Sequence, residues 1–261
     1  MVKNSLDDGF QFVGGTVNAK YLISYNNGDD NFDFDRGYRG KLQFLISYHK
    51  NPSSHSIRAN GVESLNDVDA SAVQPYTRPI ISNITIIGPV DPTEGDISQG
   101  IYIRKNTRFN VRNSIIAGYS HGGLMLCPKT KPILVNNLGS EFKYNLVNAD
   151  DPLRSFTYDI GGHGMVINTD AQVASYSTEM EDRNIEKQSL NKNRIVDAVD
   201  ALKLKSVYSN SPDLSLQAGS IASLGADFSE SDFSSFFATV PFIGAVGTDN
   251  WAASSNWASW N

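Results

Sequence analysis

The sequence contains a single cysteine, Cys127, and no apolar run long enough to cross a bilayer. One cysteine excludes an intrachain disulfide and any metal site built from several thiolates. Basic residues are in the minority, with 22 Lys and Arg against 28 Asp and Glu and a formal net charge of −6. This acidic balance argues against nucleic acid or an anionic membrane surface as the main partner and leaves room for cation binding.

The first eight residues also lack the basic start and apolar run of a signal peptide. Forty per cent of the 261 residues are hydrophobic and 19% are charged, which is typical of a globular chain of one or two domains. A strand-like segment begins almost at once, at Gly9–Phe12. We therefore expect either a cytoplasmic protein or, as a resemblance given below favours, a piece of a longer precursor.

Short β-branched runs bounded by Gly, Asn, Asp or Pro dominate the sequence before residue 180, and they predict strands. One helix is predicted over Asn184–Lys205, where apolar residues recur at steps of three to four. Besides the segment at Gly9–Phe12, the predicted strands are Thr16–Ser24, Lys41–Ser47, Ile80–Ile87, Gly100–Ile103, Phe109–Ala117, Leu124–Cys127, Ile133–Val135, Phe142–Val147 and Gly164–Ile167.

Three segments share one pattern of an apolar residue, a polar pair with Asn, two apolar residues and a small one: Val17–Ser24, Ile81–Gly88 and Val111–Gly118. Their spacing fits coils of roughly 20–30 residues with insertions. Such coils bury their apolar faces only by stacking, and Asn side chains at their turns can form ladders. We predict an all-β fold, a right-handed single-stranded parallel β-helix of the pectin-lyase-like type. The alternative is a β-sandwich, which would need a hairpin turn about every 8–12 residues.

Residues 1–168 are assigned to β-helix coils, 169–215 to a polar, partly helical insertion, and 216–261 to a carboxy-terminal cap on the same domain. A cap is expected because a solenoid exposes its core at each end. All three tryptophans lie in this cap. Packing is the first interpretation for Trp251, whereas Trp257 and Trp260 are also candidate glycan contacts because aromatic faces suit sugar rings.

The clearest chemical feature is an acidic cluster over Asn26–Asp35, with Asp8 about one coil earlier. Because neighbouring strands of a sheet lie about 4.8 Å apart, stacked coils would bring these carboxylates together. Such carboxylates repel one another unless protonated or neutralised, and Ca²⁺ suits a flexible oxygen cage better than Mg²⁺. The predicted calcium ligands are Asp8, Asp29, Asp30 and Asp33. A solvated acidic turn and a directly catalytic carboxylate pair remain alternatives.

Several separate motifs, in the same order, resemble a family of uncharacterised secreted or lipid-anchored β-helix proteins from Bacteroidetes. They are Gly14–Asn18, Asp29–Asp33, Arg36–Phe44, Ser82–Pro89, Arg104–Arg108 and Phe242–Trp251. The resemblance implies an exported precursor with earlier coils and an export signal, located outside the cell or on its outer surface. It allows a lipid anchor and implies no membrane span, and we expect a monomer.

A narrower resemblance joins Asp8-Gly9-Phe10 and Asp29–Phe34 to the calcium coils of family nine polysaccharide lyases, β-helix enzymes that cleave pectate by β-elimination. It maps the calcium aspartates of that family onto Asp8, Asp29, Asp30 and Asp33. The lysine base of that family falls in the segment Asn60–Glu63, where this chain has Glu63. Glu63 is therefore a candidate additional ligand, and spacing selects no substitute base among Lys41, Lys50, Arg58 and Lys105.

These observations favour an exported or cell-surface β-helix protein without catalytic activity, stabilised by calcium and able to bind a polysaccharide. A calcium-dependent lyase acting on uronic-acid polymers is the alternative, and an arginine or lysine within about 6 Å of the aspartates would favour it. A structural adhesin stalk is a third interpretation. A basic run, Arg104, Lys105, Arg108 and Arg112, is interpreted as an outer solvated face.

Overall fold

The computed structural model describes residues 1–89, 91, 95–136, 138–149, 151, 154–159, 192–253 and 257–260. Nearly all regular structure in these ranges is β-strand. In chain order the strands are β1 Val2–Lys3, β2 Phe10–Val13, β3 Ala19–Tyr25, β4 Phe32–Asp35, β5 Lys41–Tyr48, β6 Val62–Ser64, β7 Ile80–Ile87, β8 Ile101–Ile103, β9 Asn110–Arg112, β10 Ile115–Tyr119, β11 Leu124–Leu126, β12 Glu141–Lys143, β13 Leu146–Ala149, β14 Phe156–Tyr158, β15 Arg194–Ile195, β16 Leu204–Ser206 and β17 Asp213–Leu216. One α-helix, α1, spans Lys131–Val135, and 3₁₀ turns occur at Val199–Leu202 and Ser231–Phe233.

Two parallel sheets wind together into a β-helix. One has nine strands, with β1, β3, β5, β7, β10, β13 and β15 in order and with β9 and β12 branching from β7, and the other has six, β14-β11-β8-β6-β4-β2. One coil takes 22 residues from Asp8 to Asp30, 30 from Asp30 to Asn60 and 39 from Asn60 to Gln99. The predicted parallel β-helix is confirmed. The strands β16 and β17 form a separate antiparallel pair.

The predicted repeat is correct for two of its three segments. Ile81 pairs in register with Val111, as the shared pattern requires. The first segment is displaced, because Ala19 and not Val17 lies in the row of Leu42 and Ile81. Sequence similarity aligned the apolar residues here, but the hydrogen-bond register of the sheet fixes which residues are neighbours.

A column of residues in the left-handed backbone conformation bends successive coils of the nine-stranded sheet at one position. Asn83 and Asn113 illustrate its polar ladder, because Asn113 Nδ2 donates to Ser82 Oγ, which donates to Asn83 Oδ1. Asparagine tolerates this conformation better than most residues. The members of this left-handed column are Tyr21, Phe44, Asn83, Asn113, Tyr144 and Lys192, with φ values between 53° and 59°.

The described residues of the carboxy-terminal tail, 217–253 and 257–260, pack along the side of the coils. Its carboxy-terminal part lies on the first coils, where the Trp260 ring meets the edges of Tyr25 and Tyr48. Its amino-terminal part lies further along, where Asp227 N donates to Asn113 Oδ1. The tail thereby buries the outer face of the nine-stranded sheet in a second apolar core.

Two local predictions are wrong. The segment 133–135, predicted as a strand, belongs to α1, whose Pro132 suits the first turn of a helix. The described part of the helix predicted over Asn184–Lys205 contains β15, a 3₁₀ turn and the start of β16. There, β15 forms inter-strand hydrogen bonds with β13, and a helix at this position would lose them. Residues 184–191 and the strand predicted at Gly164–Ile167 lie outside the described residues.

No helix in the described ranges combines the length and apolar character needed to cross a bilayer. The basic run interpreted as a solvated face is also partly interior. Arg112 is buried between the sheet and the tail, and Arg104 is only partly exposed. Cys127 is a buried free thiol.

Candidate functional site

The acidic residues gather on the outer face of the six-stranded sheet, on its first three coils. Gln11, Asp33 and Glu63 lie in one row of the register, on β2, β4 and β6. The residues before them, Phe10, Phe32 and Val62, form an inner apolar row, in which the rings of Phe10 and Phe32 stack with centroids 5.3 Å apart. Because side chains alternate along a strand, Asp33 and Glu63 point outward, side by side on adjacent coils.

A second row precedes these strands and carries Asp8, Asp30, Asn60 and Gln99. The first three of these side chains each accept a hydrogen bond from the main chain of the next coil: Asp30 N donates to Asp8 Oδ1 at 3.0 Å, Asn60 N to Asp30 Oδ1 at 2.7 Å and Gln99 N to Asn60 Oδ1 at 2.9 Å. This ladder fixes one oxygen of Asp8 and one of Asp30. The predicted approach of Asp8 to Asp30 across one coil is therefore found in the structure.

The structure divides the carboxylates into two adjoining triads. An inner triad of Asp30, Asp33 and Glu63 is buried, and an outer triad of Asp7, Asp8 and Asp29 is partly exposed. Within each triad, one carboxylate oxygen from each residue lies within 4.8 Å of the others. The sequence prediction grouped Asp8, Asp29, Asp30 and Asp33 around one point, whereas the structure places Glu63 with the inner pair and adds Asp7 to the outer one.

Burial and mutual repulsion make the inner triad unfavourable for three negative charges. Burial raises the pKa of Asp33 to about 8, and the Glu63 carboxylate adds to the effect. Burial, followed by the charges of Glu63 and Asp29, raises the pKa of Asp30 well above its usual range. The pKa of Glu63 is raised by burial in spite of the opposing guanidinium of Arg104. A cation among these groups would remove the repulsion.

The pKa values of the outer triad are also raised, but less strongly than those of the inner triad. Burial raises the pKa of Asp8 to about 7, and the charges of Asp29 and Asp7 contribute. Burial also raises the pKa of Asp29, although a hydrogen bond from Ser56 opposes it. The inner triad is therefore the stronger candidate for a cation, with the outer triad beside it as a source of further oxygen ligands.

The charge balance of the inner triad leaves a deficit of positive charge. Arg104 Nη1 contacts both carboxylate oxygens of Glu63, at 3.2 and 3.1 Å. With all three carboxylates ionised, the triad and this guanidinium would carry a net charge of −2. Gln11 Nε2 donates to Asp33 Oδ2, but Asp33 Oδ1 is buried and has no hydrogen-bond partner. A buried oxygen of this kind is costly unless something binds it.

Two arginines and a tyrosine border the triad: Arg58 precedes β6, and Tyr102 and Arg104 belong to the next coil. Tyr102 follows Glu63 in the register, and the guanidinium carbons of Arg58 and Arg104 lie 4.8 and 5.1 Å from the centre of its ring. Tyr102 also donates a hydrogen bond to the buried Asp159. Arg58 Nη1 is 3.7 Å from Asp159 Oδ2, and its buried Nε has no hydrogen-bond partner. Sequence reasoning named Arg58 without placing it and missed Tyr102 and Asp159.

The two tryptophans predicted as glycan contacts differ in exposure. Trp260 is 3% exposed, and its indole N–H donates to Ala252 O, so this side chain belongs to the second core and does not face solvent. Trp257 is 50% exposed and lies parallel to Trp251, with ring centroids 6.2 Å apart. Only Trp257 remains a candidate for a surface contact.

Comparison with known families agrees with this architecture. The model of a family described as a pectate-lyase-like beta helix domain matches residues 1–196. Searches among curated proteins and among solved structures find no match. The family match covers all of the strands that carry the acidic triads, and it extends over most of the chain. The chain therefore belongs to the pectate-lyase-like β-helix family.

Proposed function

We propose that the inner triad binds one Ca²⁺ ion, held by Asp30, Asp33 and Glu63, and that the ion stabilises the first coils. The observation that carries the proposal is the buried, unpartnered Oδ1 of Asp33 within a triad of three carboxyl groups that contacts a single guanidinium, that of Arg104. Asp8 and Asp29 of the outer triad supply neighbouring oxygens. A divalent cation would both neutralise the triad and give Asp33 its missing partner.

Calcium fits this donor set better than magnesium. All candidate ligands are carboxylates, and they come from three coils whose loops differ in length, so the cage is adaptable. Calcium accepts six to eight oxygens in variable geometry, whereas magnesium requires a near-ideal octahedron and keeps several waters. The partly exposed outer triad suits the weaker calcium sites typical of extracellular modules. This agrees with a protein exported to the cell surface or beyond it.

Isothermal titration tests the calcium site directly. Metal-free protein titrated with CaCl₂ is expected to bind calcium, and MgCl₂ at the same concentrations is expected to bind at least about tenfold more weakly. Asp33→Asn should lose the calcium heat, whereas Asp197→Asn, at an exposed carboxylate just after β15 at the other end of the nine-stranded sheet, should keep it. No heat with calcium in the wild-type protein would reject the site.

The same face is suited to an acidic polysaccharide. Arg58 and Arg104 hold their guanidinium groups against Tyr102, and their side chains are 10% and 16% exposed on this face. Guanidinium groups bind carboxylates through paired hydrogen bonds, and a bound calcium ion would attract the same anion. We therefore propose a non-catalytic, monomeric β-helix protein that binds uronic-acid polymers along this face.

Calcium-dependent β-elimination is the second candidate, and one observation favours it. Arg104 Nη1 lies 3.1 Å from Glu63 Oε2, so a basic side chain does adjoin the acidic cluster. A catalytic base must be able to accept the proton next to the uronate carboxylate. Burial alone would lower the pKa of Arg104, but the charges of Glu63 and Tyr102 outweigh it and raise the pKa. Arg104 therefore suits anion binding better than proton abstraction.

Polygalacturonate and alginate distinguish the two functions. With calcium at alkaline pH, we expect both polymers or one of them to retard the protein in affinity electrophoresis, with no absorbance from unsaturated uronates. Arg58→Gln should weaken retardation at least about tenfold, because it removes a charge-assisted contact. The control Arg39→Gln changes an exposed arginine in the turn between β4 and β5 and should behave like the wild type. Unsaturated products would establish a lyase, and neither retardation nor products would reject both functions.

A further inference from the structure

A second candidate site lies away from the acidic face, between the bend of the nine-stranded sheet and the tail. A cavity of about 490 Å³ opens there, within the range of small-molecule sites. Four of its lining side chains are aromatic: Tyr21, Phe44, Phe242 and Trp251. Its polar lining residues are Ser223, Thr248 and Asp249. Neither the calcium site nor the acidic-glycan face uses any of these residues.

Tyr21 is the unusual member of this group. It belongs to the left-handed column, where a bulky side chain is strained and two later coils have Asn83 and Asn113. The Phe44 ring offsets the same strain by burial, since Phe44 is only 4% exposed. The Tyr21 ring is 47% exposed, so burial offsets little of the strain there. An exposed aromatic ring held at a strained position on a cavity wall is a reason to expect a ligand.

The surrounding contacts hold the aromatic surface rigid. The Tyr21 ring stacks on Phe44 at 5.0 Å and receives the edge of Trp251 at 5.1 Å. The indole N–H of Trp251 donates to Ala245 O at 2.8 Å, which fixes the ring plane. Trp257 lies parallel to Trp251 and extends the aromatic surface beyond the cavity. Rigid aromatic surfaces bind with little loss of side-chain entropy.

The charge of the rim selects the class of ligand. Thr248 and Asp249 are exposed, and no lysine or arginine lines the cavity. An acidic sugar would meet the Asp249 carboxylate without a compensating cation, whereas the hydroxyl groups of a neutral sugar can donate to it. The faces of sugar rings carry C–H groups that pack on aromatic rings. Aromatic walls with an acceptor-rich rim therefore match a neutral saccharide.

We propose that this cavity binds a neutral oligosaccharide, with Tyr21 and Trp251 packing on a sugar ring and Asp249 accepting hydrogen bonds from its hydroxyl groups. The proposal is independent of the calcium site. Chelation of calcium should leave this binding unchanged, because no carboxylate of either triad lines the cavity.

The test uses the full chain and neutral oligosaccharides of glucose, mannose, galactose and xylose, four to six units long, with tryptophan fluorescence and isothermal titration as readouts. At least one of them should bind, with a fluorescence change and equally with or without EGTA. Tyr21→Asn removes the ring but keeps a residue suited to the left-handed backbone, so the melting temperature should stay near that of the wild type. Affinity should fall about tenfold.

Tyr144→Asn is the matched control, because it makes the same replacement in the same left-handed column but outside this cavity. It should bind like the wild type. Equal binding by Tyr21→Asn, or failure of every neutral oligosaccharide to bind, would overturn the proposal. So would sedimentation showing that the wild type dimerises through this cavity and that Tyr21→Asn is monomeric.

Discussion

Calcium is expected to reverse the order of stability of the wild type and Asp33→Asn: the variant is the more stable without calcium, and the wild type is the more stable with it. Without calcium at pH 8, the variant should exceed the wild type by about 2 kcal/mol in free energy of unfolding, because a buried charge is removed from the inner triad. With calcium at about 100 times its Kd, the wild type should gain about 2.7 kcal/mol and the variant little. Urea unfolding in EGTA and in CaCl₂ measures both differences.

The pH dependence of stability independently tests whether the Asp33 charge destabilises the calcium-free protein. The pKa of Asp33 is about 8 in the folded protein and 3.8 as its ordinary value, so the folded state binds the proton more tightly. The stability of calcium-free wild type should therefore fall as pH rises from about 4 to about 8, and less so for Asp33→Asn. Asp35→Asn, on the same strand, is the control and should keep the calcium gain. An unchanged calcium gain in Asp33→Asn would contradict the assignment.

Arg112→Met is expected to cause the largest loss of stability from one substitution. Arg112 Nη2 lies 2.7 Å from Glu141 Oε2, Nη1 lies 3.1 Å from Asp227 Oδ1, and Nη2 also pairs with Glu230. Its side chain is 1% exposed, so removal leaves three carboxylates without their main counter-charge. Loss of one partner in a buried ion pair costs about 3–5 kcal/mol, which lowers the melting temperature by roughly 10 °C in a chain of this size.

Tail release should accompany this loss, because Asp227 and Glu230 belong to the tail and Arg112 belongs to β9. Limited proteolysis should therefore cut the tail of Arg112→Met faster than that of the wild type. Arg39→Met, at an exposed arginine, should change stability by less than about 0.5 kcal/mol. Adding Glu230→Gln to Arg112→Met should recover part of the loss, and no recovery together with unchanged proteolysis would contradict the electrostatic explanation.

The longer strands of the fold could be predicted from sequence, but several short strands that carry the site could not. Ile80–Ile87 is eight residues of nearly continuous apolar pattern, and prediction and structure agree there. Strands β6 and β14 have three residues each, too few for a period of two to be recognised. The apolar spacing in 192–205 is typical of a helix, but Arg194–Ile195 forms strand β15 because it pairs with β13.

The candidate site was predictable across one coil and not across two. Asp8 and Asp30 are 22 residues apart, close to the expected length of one coil, so their approach could be read from spacing. The next coils take 30 and 39 residues because loops are inserted, and no periodicity gives their register. The positions of Arg58 and Tyr102 beside the triad therefore required the structure, whereas Glu63 was expected as an additional ligand from the family resemblance.

The lengthwise path of the tail changes how this solenoid should come apart. In a stack whose coils touch only their neighbours, terminal coils can fray independently and melting is gradual. Here one segment is fastened to Lys3 through Ser259, to Asn83 through Phe242 and to Lys143 through Glu230. The amino-terminal coils cannot unfold without detaching the tail. We therefore expect this solenoid to unfold in a single cooperative transition.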